Sequence, residues 1–475
     1  MKRCRMFSTF TTAGLALLLA GCLRVGPDYH PLPPEAPPHW QAPALTAAVP
    51  ATLQHWWRAF EDPRLNQLIA LALQHNTDLR LAEARLRQAR SQRLQQQAQR
   101  QPGLDGSAGY SRNWASPYNG GGSSSLYQAG LDASWELDLF GGLQRAVEAA
   151  DAAVGAQQAE LADVQVSLLA EVALNYLDLC ASAEQHELLR QEIATRSTLL
   201  TLTRYREQSG QVTALETTQA RQSLAQLQAQ LPAIEYQRHR AGNALATLLA
   251  SPAAELEKLL ADAASLPPNR PALAIGLPAE VLRRRPDIRQ AERQLAQQSA
   301  QVGVAAAELY PRLSLPATLG LVAPRLSQLL RSDRASASLS PQLRWSLLAG
   351  GRLRAQLAEQ QILLEQQLLH YRGQVLNAVE ETENALQTVS ASDRQQQHLA
   401  AALAAARAVE QLRQQQYHAG LSDFETVLDS RQSRLSLQQQ YLTSRQEQLR
   451  ALVQLYKAAG GGWNFATERT TDNHG

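Results

Sequence analysis

The sequence predicts a mixed α/β membrane protein built from one helix–β-hairpin–long-helix unit used twice. Three observations predict it: a long-period repeat, four runs with strand periodicity, and two long stretches free of proline. Landmarks in residues 78–146 recur in 287–355 at a constant offset of 209. Asp78 answers to Asp287, Glu83 to Glu292, Leu86 to Leu295, Pro102 to Pro311, Gly141 to Gly350 and Arg145 to Arg354. Gly210 meets Gly420 after a one-residue slip. Self-similarity at such a period means one structural unit repeated about a pseudo-symmetry axis.

The first element is a targeting segment. Lys2, Arg3 and Arg5 precede an apolar stretch from Phe10 to Leu19, and Leu19-Ala20-Gly21-Cys22 has the pattern of a lipoprotein cleavage site. Residues 1–21 are thus expected to be a cleaved signal, with Cys22 carrying the covalent lipid, palmitate included; several acyl chains together hold where one is marginal. Cys4 leaves with the signal, so Cys180 is the only other cysteine and no intrachain disulfide is expected. Cys180 falls mid-helix, where a buried, inert thiol is expected. The stretch 22–60 reads as an extended linker, since eight prolines lie between residues 24 and 50.

The first repeat, 61–250, opens with a helix over 77–101 and then two alternating runs within 104–140. Leu104, Ala108, Tyr110 and Trp114 alternate with Asp105, Ser107, Gly109 and Asn113. Ala129, Leu131, Ala133, Trp135, Leu137 and Leu139 alternate with Gln128, Gly130, Asp132, Ser134, Glu136 and Asp138. Period two predicts strands with one apolar and one polar face, each long enough for a tilted membrane strand of about 9–11 residues. A long helix over 141–208 and a return helix over 212–250 follow.

After a linker, 251–285, the second repeat spans 286–458. It has a helix over 286–309, strands within 312–348, a long helix over 350–418 and a return helix over 422–458. Leu313, Leu315, Ala317, Leu319 and Leu321 form one alternating set, and Ala337, Leu339, Leu343, Trp345 and Leu347 the other. The stretches 143–208 and 352–418 contain no proline and one interior glycine each, Gly155 and Gly373. Leu364, Leu368, Tyr371, Val375 and Ala378 step by fours and threes, the seam of left-handed helix packing. A helix of that length spans roughly 100 Å. The return helix and the short helix of each repeat together nearly match the long one in length, which predicts that they stack end to end beside it. Residues 459–475 read as a tail.

Four strands cannot close a barrel, since membrane barrels begin at about eight. An open four-stranded sheet would expose unpaired edges to lipid. The chain is therefore expected to assemble in a closed ring of copies. The mature net charge, +2 less the cations Lys2, Arg3 and Arg5, is −1, which gives no basic character suited to nucleic acid. A mean hydropathy of −0.31 and no long apolar run beyond the signal argue against a helical membrane protein.

Val25-Gly26-Pro27-Asp28-Tyr29 resembles the start of outer-membrane efflux lipoproteins. Gly276-Leu277-Pro278 through Leu282-Arg283-Arg284-Arg285-Pro286-Asp287-Ile288, and Ala291-Glu292-Arg293-Gln294-Leu295 continuing to Pro311, are similar to their central signature. The resemblance is to the TolC family, in its OprM/NodT-like lipoprotein branch, and covers the mature chain. It implies a homotrimer with a twelve-stranded outer-membrane β-barrel continuous with a periplasmic α-helical barrel. It implies a passive exit duct in the outer membrane of a Gram-negative bacterium, the outer component of a tripartite efflux system. The partners implied are a periplasmic adaptor and an inner-membrane pump. The segment 251–285 is equatorial in that arrangement.

No phosphate loop, His-Glu-x-x-His or nucleophile elbow is present, so no enzyme activity and no metal site are expected. By motif position the resemblance makes Asp429 the gate aspartate and Tyr417 the tip tyrosine. Glu425 stands where relatives carry an apolar constriction residue, which points to a second acidic ring; the other reading of Glu425 and Asp429 is a solvated acidic stripe. Arg431 and Arg434 are the cations nearest in sequence to offset such rings. Adaptor contact is expected at the tips near Gly210 and Gly420. The competing function is a structural, periplasm-spanning coiled-coil adaptor lipoprotein, which accounts for rods and anchor but not for two duplicated hairpins.

Overall fold

The computed structural model describes residues 24–42, 51–115, 118, 121–252, 265–268 and 278–463. Cys22, the signal and Gly276-Leu277 of the central signature lie outside the described residues. A 3-10 segment, Ala51–Phe60, leads into helices α1 (Pro63–His75) and α2 (Thr77–Ala98). Strands β1 (Gly103–Ala115), β2 (Gly122–Ser134) and β3 (Glu136–Leu137) precede the long helix α3 (Gly142–Gln208). Helices α4 (Ala214–Gln228), α5 (Leu231–Leu248), α6 (Pro278–Arg284) and α7 (Pro286–Ala307) come next. Strands β4 (Arg312–Ser314), β5 (Ala317–Ala323), β6 (Ala335–Leu339) and β7 (Gln342–Arg344) lead to the second long helix α8 (Arg352–His418) and to α9 (Phe424–Ala458).

The chain forms two compact units, a strand-bearing one (Met1–Leu32, Arg85–Gln158, Gln290–Arg372) and a helical one (Pro33–Ala84, Ala159–Arg289, Gly373–Gly475). In the strand-bearing unit one antiparallel sheet has the order β1-β2-β5-β6, so β1 and β6 are its edges. Its register aligns like with like. Leu104, Ala133, Ala317 and Leu339 form one cross-strand row, Gly106, Leu131, Leu319 and Ala337 the next, and Ala108, Ala129, Leu321 and Ala335 the third. The opposite face shows Asp105, Asp132, Thr318 and Ser338, then Ser107, Gly130, Gly320 and Ser336.

β1 spans its whole expected run, but the other three expected strands are shorter than the alternation suggests. The run through Leu139 stops at Ser134, and Leu313 through Leu321 is cut at Leu315-Pro316, as Ala337 through Leu347 is at Ser340-Pro341. Proline has no N–H to give to a ladder, and the two breaks in the second repeat each fall at one, whereas the stop after Ser134 does not. Beyond the breaks a second, smaller sheet, β3-β4-β7, pairs Leu137 with Leu313 and Leu313 with Leu343.

The helical unit has the larger core. Trp56, Phe60, Leu65, Leu68, Ile69, Leu169, Tyr176, Leu177, Leu245 and Leu452 are all buried there, with the Trp56 ring stacked on Tyr456 at 5.2 Å. Helix α1 lies outside any element the repeat suggested. It starts on Asp62, whose side chain accepts from the backbone N–H of Arg64 at 2.9 Å, with Pro63 at its first turn. The other carboxylate oxygen of Asp62 takes the Tyr176 hydroxyl at 2.6 Å, which fixes α1 to α3. The expected single return helix over 212–250 is two helices, because Pro232 cannot continue α4 and instead sits in the first turn of α5. Part of the linker 251–285 is helix α6, and the first residues of the tail pack: Gly462 N donates to Leu53 O at 2.9 Å and Trp463 Nε1 to Arg284 O at 3.1 Å. Contrary to the composition argument, α3 is apolar enough over an 18-residue stretch to cross a membrane, yet 72% of that stretch is buried in the protein's own packing. Cys180 on α3 is fully buried and unpaired; burial pushes its thiol up to about 12, so it is inert at neutral pH.

Candidate functional sites: a strand wall, an anchored strap and the helix tips

Among the described residues, little covers the sheet's apolar face over its first rows. Leu104, Leu319 and Leu339 remain 67%, 55% and 68% exposed. Leu104 to Trp114 covers about 33 Å along the strand at ~3.3 Å per residue. Tilted as membrane strands are, this gives a band about 25 Å tall, the height of a barrel's lipid-facing wall. Aromatic residues mark both ends of the band. Tyr110 and Tyr127 lie across from each other at 4.7 Å, and Trp114 is beyond them. At the other end Trp135 Nε1 donates to Arg100 O at 2.9 Å, and its counterpart in the repeat, Trp345, donates to Leu309 O at 3.1 Å. Each indole pins the segment that follows a short helix, α2 or α7, to the strand leaving the sheet.

The residues following the expected lipid site form a strap within the same unit. Val25 N donates to Phe140 O at 3.2 Å. Arg145 of α3, only 3% exposed, gives Nε to Val25 O at 3.1 Å, Nη2 to Asp28 Oδ1 at 2.7 Å and Nη1 to Glu148 at 2.8 Å. Its hydrogen bond and charge hold the Asp28 carboxyl below the ordinary carboxylate value. Tyr29 donates to Glu292 Oε1 at 2.8 Å, and burial keeps that phenol protonated. Tyr371 of α8 donates to Leu32 O at 2.9 Å. Gly26 sits at φ +88° with its α-carbon against Gly303; a β-carbon there would fall 2.4 Å from the Gly303 α-carbon. The Val-Gly-Pro-Asp-Tyr pattern thus encodes a close backbone crossing plus two side-chain clamps.

At the tips the two repeats end alike. After α3, Gly210 at φ +71° is followed by Gln211, whose N donates back to Arg206 O at 2.8 Å. After α8, Gly420 at φ +74° is followed by Leu421, whose N donates to Gln416 O at 2.9 Å. These are glycine-ended helix stops that a β-carbon would strain. Helix α9 then starts on Asp423, which accepts from Thr426 N at 2.9 Å and from the Thr426 hydroxyl; these bonds hold its carboxyl below the ordinary value.

Tyr417 packs beside Phe424 at 5.9 Å, and its hydroxyl accepts from Arg206 Nη1 at 3.0 Å. Glu425 and Asp429 lie exposed on one stripe of α9, opposite the buried Phe424, Val427 and Ser430. The structure does not place Arg431 and Arg434 beside them. Arg434 reaches Glu410 at 2.5 Å and Glu192 at 2.8 Å, and Glu192 also holds Arg196 at 3.2 Å. Arg431 Nε lies 3.3 Å from Glu410 Oε1, in ion-pair range but without hydrogen-bond alignment. Within one chain the arginines therefore tie α9 to α3 and α8, and the expected offset of the Asp429 charge is corrected. The sequence reading missed Arg206, Glu192 and Glu410. The i,i+4 pair Glu192–Arg196 was the one local signal for them. Counting back from the paired glycines and helix caps, Glu425 answers to Leu215, 65% exposed, and Asp429 to Gln219.

The sequence model of the family described as outer membrane efflux protein matches residues 68–251 and again 277–461. The chain is 36% identical over 460 residues to the pyoverdine export outer membrane protein OpmQ of Pseudomonas putida, covering 94% of this chain and 96% of that one. Among solved structures it matches the outer-membrane channel OprN with a TM-score of 0.84 at 35% identity, over 92% of this chain and 99% of OprN. It also matches the open state of the Neisseria gonorrhoeae MtrE outer membrane channel with a TM-score of 0.82 at 28% identity, over 92% and 98% of the two chains.

Proposed function

This chain belongs to the outer membrane efflux protein family and is the outer-membrane channel component of an efflux system; from that premise we propose that it works as a passive homotrimeric duct, lipid-anchored at Cys22. The observation that carries the trimer is the four-stranded sheet with an uncovered apolar face, a polar reverse face and two open edges, β1 and β6. Pairing β6 of one copy with β1 of the next removes both edges of that sheet, and three copies give twelve strands with the apolar face to lipid and the polar face to the pore. Each copy performs no chemistry. Cargo reaches the duct from an inner-membrane pump through a periplasmic adaptor that contacts the tips near Gly210 and Gly420.

The tip stripe supports a mixed gate. Asp429 and Glu425 from α9 supply acidic rings, while the matching positions of α4 supply apolar Leu215 and uncharged Gln219, so acidic and uncharged positions alternate around the axis. Arg206, holding Tyr417 against the Phe424 cluster, keeps the tip of α8 folded onto the start of α9.

Native mass spectrometry of the protein extracted in mild detergent tests this reading. Three copies per particle, each with the added mass of an acylated Cys22, are expected. A stable monomer would sink the trimer, and an unmodified N-terminus at Cys22 would sink the anchor.

A further inference from the structure

The lipid-facing side of the sheet carries charge at one height only. From the row of Leu104 to the row of Ala108 no charged residue occurs on that face. Two rows further, at the end of the sheet bearing the hairpin loops, Arg112 lies on the same face, with its guanidinium 5.3 Å from the centre of the Trp114 ring. Arg325, in extended conformation two residues past Ala323, reaches the same height by residue count, since Ala323 pairs with Tyr127 and Arg112 with Ser125. Arg331 and Arg334 follow in the same loop and share one carboxylate, Asp333, at 3.3 Å and 3.9 Å. Leu326 and Leu330 between them are 65% and 88% exposed. The pore-side residues of β1 and β2 at this height are Ser111, Asn113, Ser124 and Leu126, none of them charged.

Arg112 on that face, with Arg325, Arg331 and Arg334 in the adjoining loop, gathers four guanidiniums against one carboxylate at this end of the sheet. In hydrocarbon they would be costly, so they sit where the acyl layer ends. Guanidinium forks match phosphate oxygens bidentately, and aromatic rings beside them suit the headgroup boundary. The loops lie at the end of the sheet opposite the helix connections, which the outer-membrane reading puts on the cell exterior. We propose that Arg112, Arg325, Arg331 and Arg334, with Trp114 and the exposed leucines, form a collar that binds the phosphate groups of the glycolipid in the outer leaflet. The collar takes the place of the divalent cations that otherwise bridge those phosphates. This inference rests on the sheet being the membrane wall.

The test uses the full-length, detergent-purified protein and two probes, bisphosphorylated lipid A and the same lipid with both phosphates removed. Native mass spectrometry should show several glycolipids retained per wild-type particle with the phosphorylated probe, and at least a fivefold lower occupancy with the dephosphorylated one. Replacing the four arginines with glutamine should reproduce that loss, and replacing them with lysine should restore part of it. Equal occupancy by both probes on the wild-type protein overturns the collar without recourse to any variant. Heat-modifiable gel migration separates the two levels: its absence in the wild-type protein would overturn the membrane wall itself, whereas its presence with phosphate-independent binding overturns the collar alone.

Discussion

Arg145 is an ion buried in a segment crossing, and its partners explain why it is there. One guanidinium satisfies the Val25 carbonyl, Asp28 and Glu148 together, and Arg24 adds a second contact to Glu148 at 3.0 Å. Arg145→Ala should remove the donor that part-exposed Val25, Asp28 and Glu148 share, and so loosen the strap. The readout is limited proteolysis of residues 24–32, which should quicken in the variant; unchanged cleavage would show that the strap is held by Gly26 and Tyr29 instead. The pH dependence has a definite sign. Asp28 has a lowered carboxyl value in the folded protein, so its pairing contributes fully above the ordinary carboxylate range and is lost as pH falls through the lowered value. Strap protection should be flat from about pH 5 to 8 and weaken only below about pH 4.

Among elements, α9 concentrates the functional question. Phe424, Val427, Ser430 and Leu435 face the protein, which leaves Glu425 and Asp429 on the free side. A carboxylate in water attracts a monovalent cation at ~4 Å by about 1 kcal/mol, roughly a fivefold change in local cation concentration. Asp429→Ala should therefore weaken cation preference in planar bilayers by a factor of that order, and Glu425→Ala should add to it. A double variant with unchanged conductance and selectivity would move the gate elsewhere. What the sequence revealed about these elements follows the range of the rule involved. Gly210 and Gly420 were legible as stops because a left-handed helix end is a local property. The strand faces were legible because alternation is local too, although it outweighed the contrary signal of Pro316 and Pro341. Helix α1 carried its own start signal at Asp62-Pro63 and buries Leu65, Leu68, Ile69 and Ala72. The repeat gives no sign of it, since its landmarks start at Asp78, after α1 has ended. The partners of Arg431 and Arg434 were not legible, since Glu410 and Glu192 are distant in sequence and only the packing of three helices brings them within reach.

For the whole molecule, the duplication gives near-copies rather than copies. Trp135 and Trp345 do the same work, and so do Gly210 and Gly420, yet Leu215 faces out where Glu425 does. The difference with the widest reach is Pro232. The return path of the first repeat is jointed at Ala229-Gln230, while α9 runs unbroken through 35 residues. A joint lowers bending stiffness, so in the proposed ring of three chains compliant and rigid struts alternate. An outward pull on such a ring would be taken up by the compliant members, and the aperture would dilate as a triangle rather than a regular hexagon. Nitroxide labels should register this as a broader spread of inter-copy distances at Gln219 than at Ser433, and equal spreads would mean that the joint is mechanically silent.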